Sequence, residues 1–194
     1  NGAATGSVLV DMPTSEPSLA VEVYEAAKAK GIHSVDAPVS GGDVGAKEAR
    51  LSIMIGGDAA LVETCRPVFD VIGKKLFHVG EVGMGEVAKI ANNLMVIVNQ
   101  QSTREGLRLA RLAGIEPKKM LEVLMASSGD SWASRNWELL RDIAANYPGG
   151  PEGMAKVGYK DISLAVTVGH DVGAALPITA LASQLMDGLF LKED

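Results

Sequence analysis

A lysine and two asparagines at helical spacing are the residues of this sequence that are best suited to chemistry. Lys89, Asn92 and Asn93 stand at positions i, i+3 and i+4, so on a helix they share one face, one turn apart. Residues 94–98 are all apolar, which places the lysine where water is scarce. Since loss of water disfavours the charged form of a lysine, such a group can exchange protons near neutral pH. The spacing alone leaves a second interpretation open, an ordinary polar start of a helix.

Three segments of the sequence together resemble one enzyme family. Residues 83–93 read Gly-x-Gly-x-x-x-Lys-x-x-Asn-Asn, which resembles the catalytic signature of the β-hydroxyacid dehydrogenases. This family includes 3-hydroxyisobutyrate dehydrogenase, tartronate semialdehyde reductase and the glyoxylate/succinic semialdehyde reductases. Residues 36–57, which begin Asp-Ala-Pro-Val-Ser-Gly-Gly, are similar to the family's substrate loop and following strand. Residues 160–165 resemble its C-terminal Lys-Asp-hydrophobic segment, so the motifs follow the family's order over nearly the whole chain.

The resemblance implies a reaction and a set of site residues. The reaction is hydride transfer between a nicotinamide, carried by NAD or NADP, and a small hydroxyacid or aldehyde that bears a carboxylate. Lys89 is implied as the general acid/base, which protonates the alkoxide on reduction and accepts the hydroxyl proton on oxidation. No metal is implied. The remaining implied residues bind substrate (Ser40, Gly41, Gly42, Asn92, Asn93 and Asp161) or cofactor (Thr14 and Lys160).

The residue types agree with these roles but also allow simpler ones. Consecutive glycine N–H groups beside the Ser40 hydroxyl can surround a carboxylate, although a tight loop after a strand needs glycine in any case. Asn93 can donate to a substrate oxygen without adding charge, whereas Asn92 could instead bond to backbone. The pair Lys160 and Asp161 could be a solvent-facing ion pair.

The sequence departs from the family pattern at two positions. Residues 11–14 match the family's Asp-x-Ser-Thr turn near the nicotinamide, but Pro13 replaces the serine, so only Thr14 is carried over. Ala49 stands where the family usually has glycine before the strand that starts at Leu51. If the backbone at this position needs a positive φ, alanine is strained there.

The pattern of predicted elements changes near residue 82. Before it, predicted strands alternate with helices, and 37–50 is predicted to be a glycine-rich loop. After it, only helices are predicted. The predicted ranges are 8–11, 33–36, 51–55 and 75–79 for the strands, 19–30 (capped by Ser18) and 59–71 for the helices between them, and 85–113, 117–126, 131–146, 154–168 and 177–191 for the later helices.

These elements predict an α/β part followed by an all-α part. Residues 1–82 are expected to be the C-terminal portion of a Rossmann-type domain with a parallel sheet, joined by a long helix to a helical substrate and oligomerisation domain, 83–194. The Gly-x-Gly-x-x-Gly turn that begins a dinucleotide-binding domain is not found in the sequence. We therefore expect the first units of that domain to be missing from this chain.

Composition excludes several other classes of protein. The net charge is −6 and no basic stripe occurs, which excludes a nucleic-acid partner. One cysteine cannot form an intrachain disulfide, and the three histidines lie too far apart for metal-ligand spacing. No apolar run reaches ~18 residues, so no membrane partner is expected. The start of the chain lacks the features of a signal peptide, and we expect a cytoplasmic protein, with the mitochondrion as the alternative.

Three alternatives stay open from the sequence. An imine reductase shares the implied architecture but usually lacks the lysine, and a 6-phosphogluconate dehydrogenase needs more cationic groups for its phosphate. A non-catalytic oligomerisation module of the same fold is the alternative from another class. The intact set of Lys89, Asn92 and Asn93 speaks against that module, and the absent cofactor turn speaks for it. The long helix and the apolar helix at 177–191 predict a homodimer or homotetramer.

Overall fold

The computed structural model describes residues 2–186, and the chain divides into two compact units, Asn1–Ala91 and Asn92–Asp194. We call these unit 1 and unit 2. The helix that carries Lys89, α4 (Met84–Leu112), begins in unit 1 and continues into unit 2. An α/β part followed by an all-helical part is therefore present, as predicted. The domain boundary at residue 82 stays a prediction.

Unit 1 is built on a sheet covered by short helices. The elements are β1 (Val8–Asp11), α1 (Pro17–Lys28), β2 (His33–Asp36), β3 (Val39–Ser40), α2 (Gly42–Lys47), β4 (Leu51–Gly56), α3 (Ala59–Ile72) and β5 (Gly73–Gly80). In the described part of the chain the sheet has five strands in the order β1-β2-β4-β3, with β5 also paired to β4. Buried side chains of β2, β4 and α3 form its core, which includes Val35, Ile53, Ile55 and Phe69.

The first strand-helix-strand unit forms as predicted. Strands β1 and β2 are parallel, and Asp11 lies opposite Asp36 in their register. Two aspartates therefore end neighbouring strands at the same edge of the sheet. In parallel α/β sheets this carboxyl edge is where ligands bind.

The sheet is mixed, with parallel and antiparallel pairs, whereas the sequence predicted a parallel sheet. Strand β4 is parallel to β5 but antiparallel to β3 and, at Asp36 and Gly56, to β2. The predicted loop at 37–50 contains β3 and α2. Only residues 41–50 connect β3 to β4, which is shorter than the dozen or more residues that a parallel crossover requires. The chain therefore turns back and pairs antiparallel.

Ala49 has a positive φ, the strained conformation that its position in the sequence left open. Its φ is +52°, at the end of α2, where the N–H of Arg50 bonds back to the carbonyl of Gly45. Helices commonly end in a left-handed residue at this position, and it is usually glycine because a Cβ is unfavourable there.

We expect Ala49→Gly to raise the free energy of unfolding by about 0.5–1 kcal/mol. Relief of the left-handed strain, about 1–2 kcal/mol, exceeds the entropy that glycine adds to the unfolded chain. The matched control is Ala46→Gly, at an exposed position inside α2, which should lower stability by about 0.5–1 kcal/mol. Urea unfolding followed by far-UV circular dichroism measures both changes. An Ala49→Gly protein that is no more stable than wild type would contradict the strain.

Unit 2 consists of helices in its described part. Its core contains Ile97, Ile162, Ala182 and Met186. The predicted single helix at 131–146 is two helices that divide at Asn136, and the helix predicted from 154 begins four residues earlier, at Gly150. The predicted end at 191 lies outside the described residues. Besides α4 the helices are α5 (Pro117–Met125), α6 (Trp132–Arg135), α7 (Trp137–Asn146), α8 (Gly150–Asp171) and α9 (Pro177–Gln184).

Two kinds of feature are absent from the described residues. Within 2–186, no helix combines the length and the apolar character needed to cross a membrane. Over the same residues, no three side chains of His, Cys, Asp or Glu are grouped so that they could hold a metal ion.

Candidate functional site

A buried carboxylate fixes the start of the helix that carries Lys89. Asp36, the last residue of β2, is 2% exposed. The backbone N–H of Gly83 donates to its Oδ1 at 2.7 Å, and that of Glu86 donates to its Oδ2 at 3.0 Å. Amides at the start of a helix have no carbonyl partner within the helix, and a negative charge suits this positive end of the dipole. Asp36 therefore anchors α4 on the sheet, a role that the sequence analysis did not assign.

Gly85 allows this anchor to form. A Cβ at Gly85 would lie 2.6 Å from the carbonyl oxygen of Met54 and 2.7 Å from Oδ2 of Asp36. A Cβ at Gly56 would lie 2.5 Å from Oδ1 of the same carboxylate. All three distances are shorter than a real Cβ tolerates, so Gly56 and Gly85 are needed for close packing around Asp36. The second glycine of the lysine motif thus has a packing reason that does not depend on any ligand.

Glu86, in the first turn of α4, is a second buried carboxyl group. Its side chain has no exposed surface. The N–H of Ser15 donates to its Oε2 at 3.1 Å, and the hydroxyl of Ser15 donates to its Oε1 at 3.5 Å. Burial raises the pKa of Glu86 to about 7, helped by the charges of Asp36 and Asp11, while the bonds from Ser15 oppose the shift. Glu86 therefore changes its protonation state near neutral pH.

The raised pKa of Glu86 predicts a pH-dependent stability. Between its ordinary pKa of 4.5 and about 7, the folded chain retains a proton that the unfolded chain has released, so stability falls as pH rises through this range. Relative to Glu86→Gln, which cannot ionise, wild type should lose about 1–3 kcal/mol between about pH 5 and about pH 8.

Urea unfolding at several pH values tests this expectation. Far-UV circular dichroism is the suitable probe, because both tryptophans, Trp132 and Trp137, belong to unit 2. The control is Glu105→Gln, at an exposed position of the same helix, which should follow the wild-type curve. Parallel curves for wild type and Glu86→Gln would show that Glu86 does not hold a proton in the folded chain.

Lys89 lies one turn after Glu86 on α4 and is 8% exposed. The expectation that water is scarce around this lysine is therefore confirmed. Its catalytic role stays a prediction.

Ser40, Gly41 and Gly42 connect β3 to α2. Ser40 is half-buried and pairs with Ser52 of β4. Gly41 has a φ of +135° and Gly42 a φ of +59°. These values favour glycine whether or not a ligand binds, so the backbone is consistent both with the predicted anion site and with a tight connection.

Two positions in unit 1 bear on where a dinucleotide could bind. Thr14 is half-buried and follows the carboxyl end of β1, the edge at which α/β sheets bind ligands. Pyrophosphates bind at the amides of a helix N-terminus. At the start of α4 the amides of Gly83 and Glu86 already donate to Asp36. The start of α4 is therefore not the pyrophosphate site.

Four predicted site residues form one hydrogen-bonded group in unit 2. Nδ2 of Asn92 donates to Oδ1 of Asn93 at 3.2 Å, and Nδ2 of Asn93 donates to Oδ2 of Asp161 at 2.8 Å. Nζ of Lys160 lies 2.8 Å from Oδ1 of Asp161. The ion pair considered as the simpler interpretation is thus present. The Asp161 side chain is only 13% exposed, however, and its second oxygen holds Asn93 in place.

Asp36 and Glu86 are the residues that the sequence analysis missed. Helical spacing contained a signal for Glu86, because it lies three and four residues before Lys89 and Ile90, which are both buried. Asp36 was part of a recognised motif, but its contacts join positions 47 and 50 residues apart. Spacing along the sequence does not indicate such contacts.

Comparison with known proteins matches each part of the chain to an NAD-binding family model. Residues 1–80 match the family model described as the NAD binding domain of 6-phosphogluconate dehydrogenase. Residues 83–192 match the model described as the NAD-binding domain of NADP-dependent 3-hydroxyisobutyrate dehydrogenase. Both are NAD-binding families, which confirms the predicted class of cofactor, NAD or NADP.

Curated relatives and a solved structure agree with these matches. The 2-(hydroxymethyl)glutarate dehydrogenase of Eubacterium barkeri is 39% identical over 94% of this chain and 60% of its own length. The NAD-dependent L-serine dehydrogenase of Pseudomonas aeruginosa is 34% identical over 98% of this chain and 65% of its own length. The structure of Mycobacterium tuberculosis 3-hydroxyisobutyrate dehydrogenase with L-serine has a TM-score of 0.81 at 28% identity, over 96% of this chain and 65% of that one.

The chain spans about 60–65% of the length of these relatives. The second family model covers more than half of the chain. The chain therefore belongs to the β-hydroxyacid dehydrogenase family.

Proposed function

We propose that this chain carries the proton-transfer and substrate-binding residues of an NAD(P)-dependent 3-hydroxyacid dehydrogenase or semialdehyde reductase. The observation that supports this most is a buried lysine, Lys89, on a helix anchored by Asp36, in a chain of this family. Relatives are named for hydroxyacids that carry a carboxylate, such as 3-hydroxyisobutyrate, L-serine and 2-(hydroxymethyl)glutarate. The proposed substrate is therefore a small hydroxyacid or aldehyde that bears a carboxylate.

Lys89 is proposed to move the proton at the substrate oxygen. When bound, the nicotinamide supplies or accepts the hydride at the carbonyl carbon. In reduction the Lys89 ammonium donates a proton to the oxygen that becomes the hydroxyl, and in oxidation the neutral amine accepts it. Because Lys89 is buried, little water competes for this proton.

Ser40, Gly41 and Gly42 are proposed to bind the substrate carboxylate. A hydroxyl and glycine backbone N–H groups can donate to both oxygens of a carboxylate without a Cβ in the way. Such neutral donors hold the anion without adding a cation next to the reacting lysine.

In unit 2, Asn93 is proposed to donate to a substrate oxygen, with Asn92 and Asp161 in support. An amide nitrogen carries two hydrogens, so one can bond to Asp161 while the other binds substrate.

Lys160 and Thr14 are proposed to contact the cofactor. A homodimer or homotetramer and a cytoplasmic or mitochondrial location also stay predictions.

A substrate panel tests the proposed function. With NADH or NADPH, the chain should reduce succinic semialdehyde or glyoxylate and should reduce butanal, which lacks the carboxylate, far more slowly. Ser40→Ala should raise KM for the carboxylate substrates more than it lowers kcat. Equal rates with butanal would contradict the carboxylate anchor. Reduction of a cyclic imine instead would favour an imine reductase, and no turnover at all would favour a non-catalytic module.

A further inference from the structure

The turn after β1 is tied to α4 by a single buried side chain. Ser15 and Glu86 are 71 residues apart in the sequence, and both the N–H and the hydroxyl of Ser15 donate to the Glu86 carboxyl group. Ser15 directly follows Thr14, and the segment leads into α1, whose first residue is Pro17. The proline at position 13 has no N–H to offer, and the two bonds from Ser15 join this turn to α4.

We propose that Glu86 is a positioning residue that holds the turn of Thr14 and Ser15 in place, and thereby sets the position of Thr14. The role of Thr14 in cofactor binding rests on the proposed function, whereas the hold on the turn does not. Burial of a carboxyl group is unfavourable unless the group is hydrogen-bonded. Glu86 is fully buried, and Ser15 supplies two hydrogen bonds to it. Glu86 thus links the helix of Lys89 to the turn of Thr14.

The surroundings of Glu86 make this hold sensitive to pH. The charged groups that face it are Asp36, at the end of β2, and Asp11, at the end of β1, while Lys89 follows one turn later on α4. The two aspartates and burial favour the protonated acid, and the bonds from Ser15 favour the carboxylate. When Glu86 is ionised, both donors of Ser15 can bond to its oxygens. When it is protonated, one oxygen carries the proton and the hold is weaker.

Backbone NMR tests the hold on the turn directly. In wild type, the amide resonances of Thr14 and Ser15 should shift with a midpoint near neutral pH, and in Glu86→Gln this shift should disappear. In Glu86→Leu, which keeps the volume but not the acceptor, hydrogen exchange of the Ser15 amide should be about 10-fold faster relative to other unit 1 amides. Glu105→Gln, at an exposed position of α4, should behave as wild type.

Cofactor affinity is the second readout. Glu86→Leu should raise Kd for NADH at least fivefold and leave KM for the carboxylate substrate unchanged, a split that a merely structural role would not produce. Unchanged exchange of the Ser15 amide, or an unchanged Kd in a wild type that binds NADH, would overturn the proposal. If wild type itself does not bind NADH, the proposed function fails, and the NMR result alone decides whether Glu86 holds the turn.

Discussion

Replacement of Lys89 by alanine is expected to lower turnover by about 10²–10⁴ and to leave the fold intact. This is the usual loss when a positioned general acid/base is removed. The Lys89 side chain is 8% exposed, so its truncation also removes packing. Lys89→Met keeps most of the apolar stem and should lose the same activity, which separates the chemical from the structural effect.

Two further variants sharpen this expectation. Lys89→Arg keeps the positive charge, but a guanidinium does not release its proton in proteins, so the oxidation of a hydroxyacid should be lost. Lys156→Ala changes an exposed lysine of α8 and should leave turnover as in wild type. Steady-state rates in both directions, with circular dichroism of each variant, measure these effects. Near-normal turnover of a folded Lys89→Ala protein would remove Lys89 from the mechanism.

The largest effect on stability is expected at Gly85. Its replacement by alanine places a Cβ 2.6 Å from the carbonyl oxygen of Met54, which is backbone of the sheet and cannot rotate away. The helix must then move off Asp36, which loses its bonds to α4. Overpacking together with a poorly satisfied buried carboxylate predicts a loss of about 2–4 kcal/mol in the free energy of unfolding.

The same helix supplies the matched control for Gly85→Ala. Gly106 also lies in α4, but a Cβ there would meet nothing within 4 Å. Gly106→Ala should therefore stabilise the chain by about 0.5–1 kcal/mol through better helix propensity. Urea unfolding by far-UV circular dichroism reports both variants. Similar stabilities for the two would mean that α4 does not depend on close contact at Gly85.

Local patterns predicted the parts of the fold that depend on neighbours in sequence. The apolar run before Asp11 predicted β1, and the spacing of Lys89 and Asn93 predicted their helix. The unusual residue at Ala49 was recognised as a question of backbone conformation, which the φ of +52° answers. The predicted scarcity of water around Lys89 is confirmed by its burial.

What could not be predicted depends on contacts between distant segments. Helical spacing places Glu86 on the same face as Lys89 and Ile90, but it does not indicate that Ser15, 71 residues away, donates to it. The glycines at 41 and 42 predicted a loop, whereas they lie at the start of α2, and the antiparallel pairing of β3 follows from a connection too short for a crossover. The contact between Asn93 and Asp161 likewise joins residues 68 apart.

The most direct measurement of the central claim is a fluorescence titration of the 194-residue chain with NADH and with NADPH, followed by addition of succinic semialdehyde. We predict saturable binding of at least one cofactor and oxidation of that cofactor only when the carboxylate-bearing aldehyde is present. The same experiment with Lys89→Ala should retain binding and lose oxidation. Absence of saturable binding of both cofactors would contradict the claim that this chain acts as a nicotinamide-dependent hydroxyacid dehydrogenase.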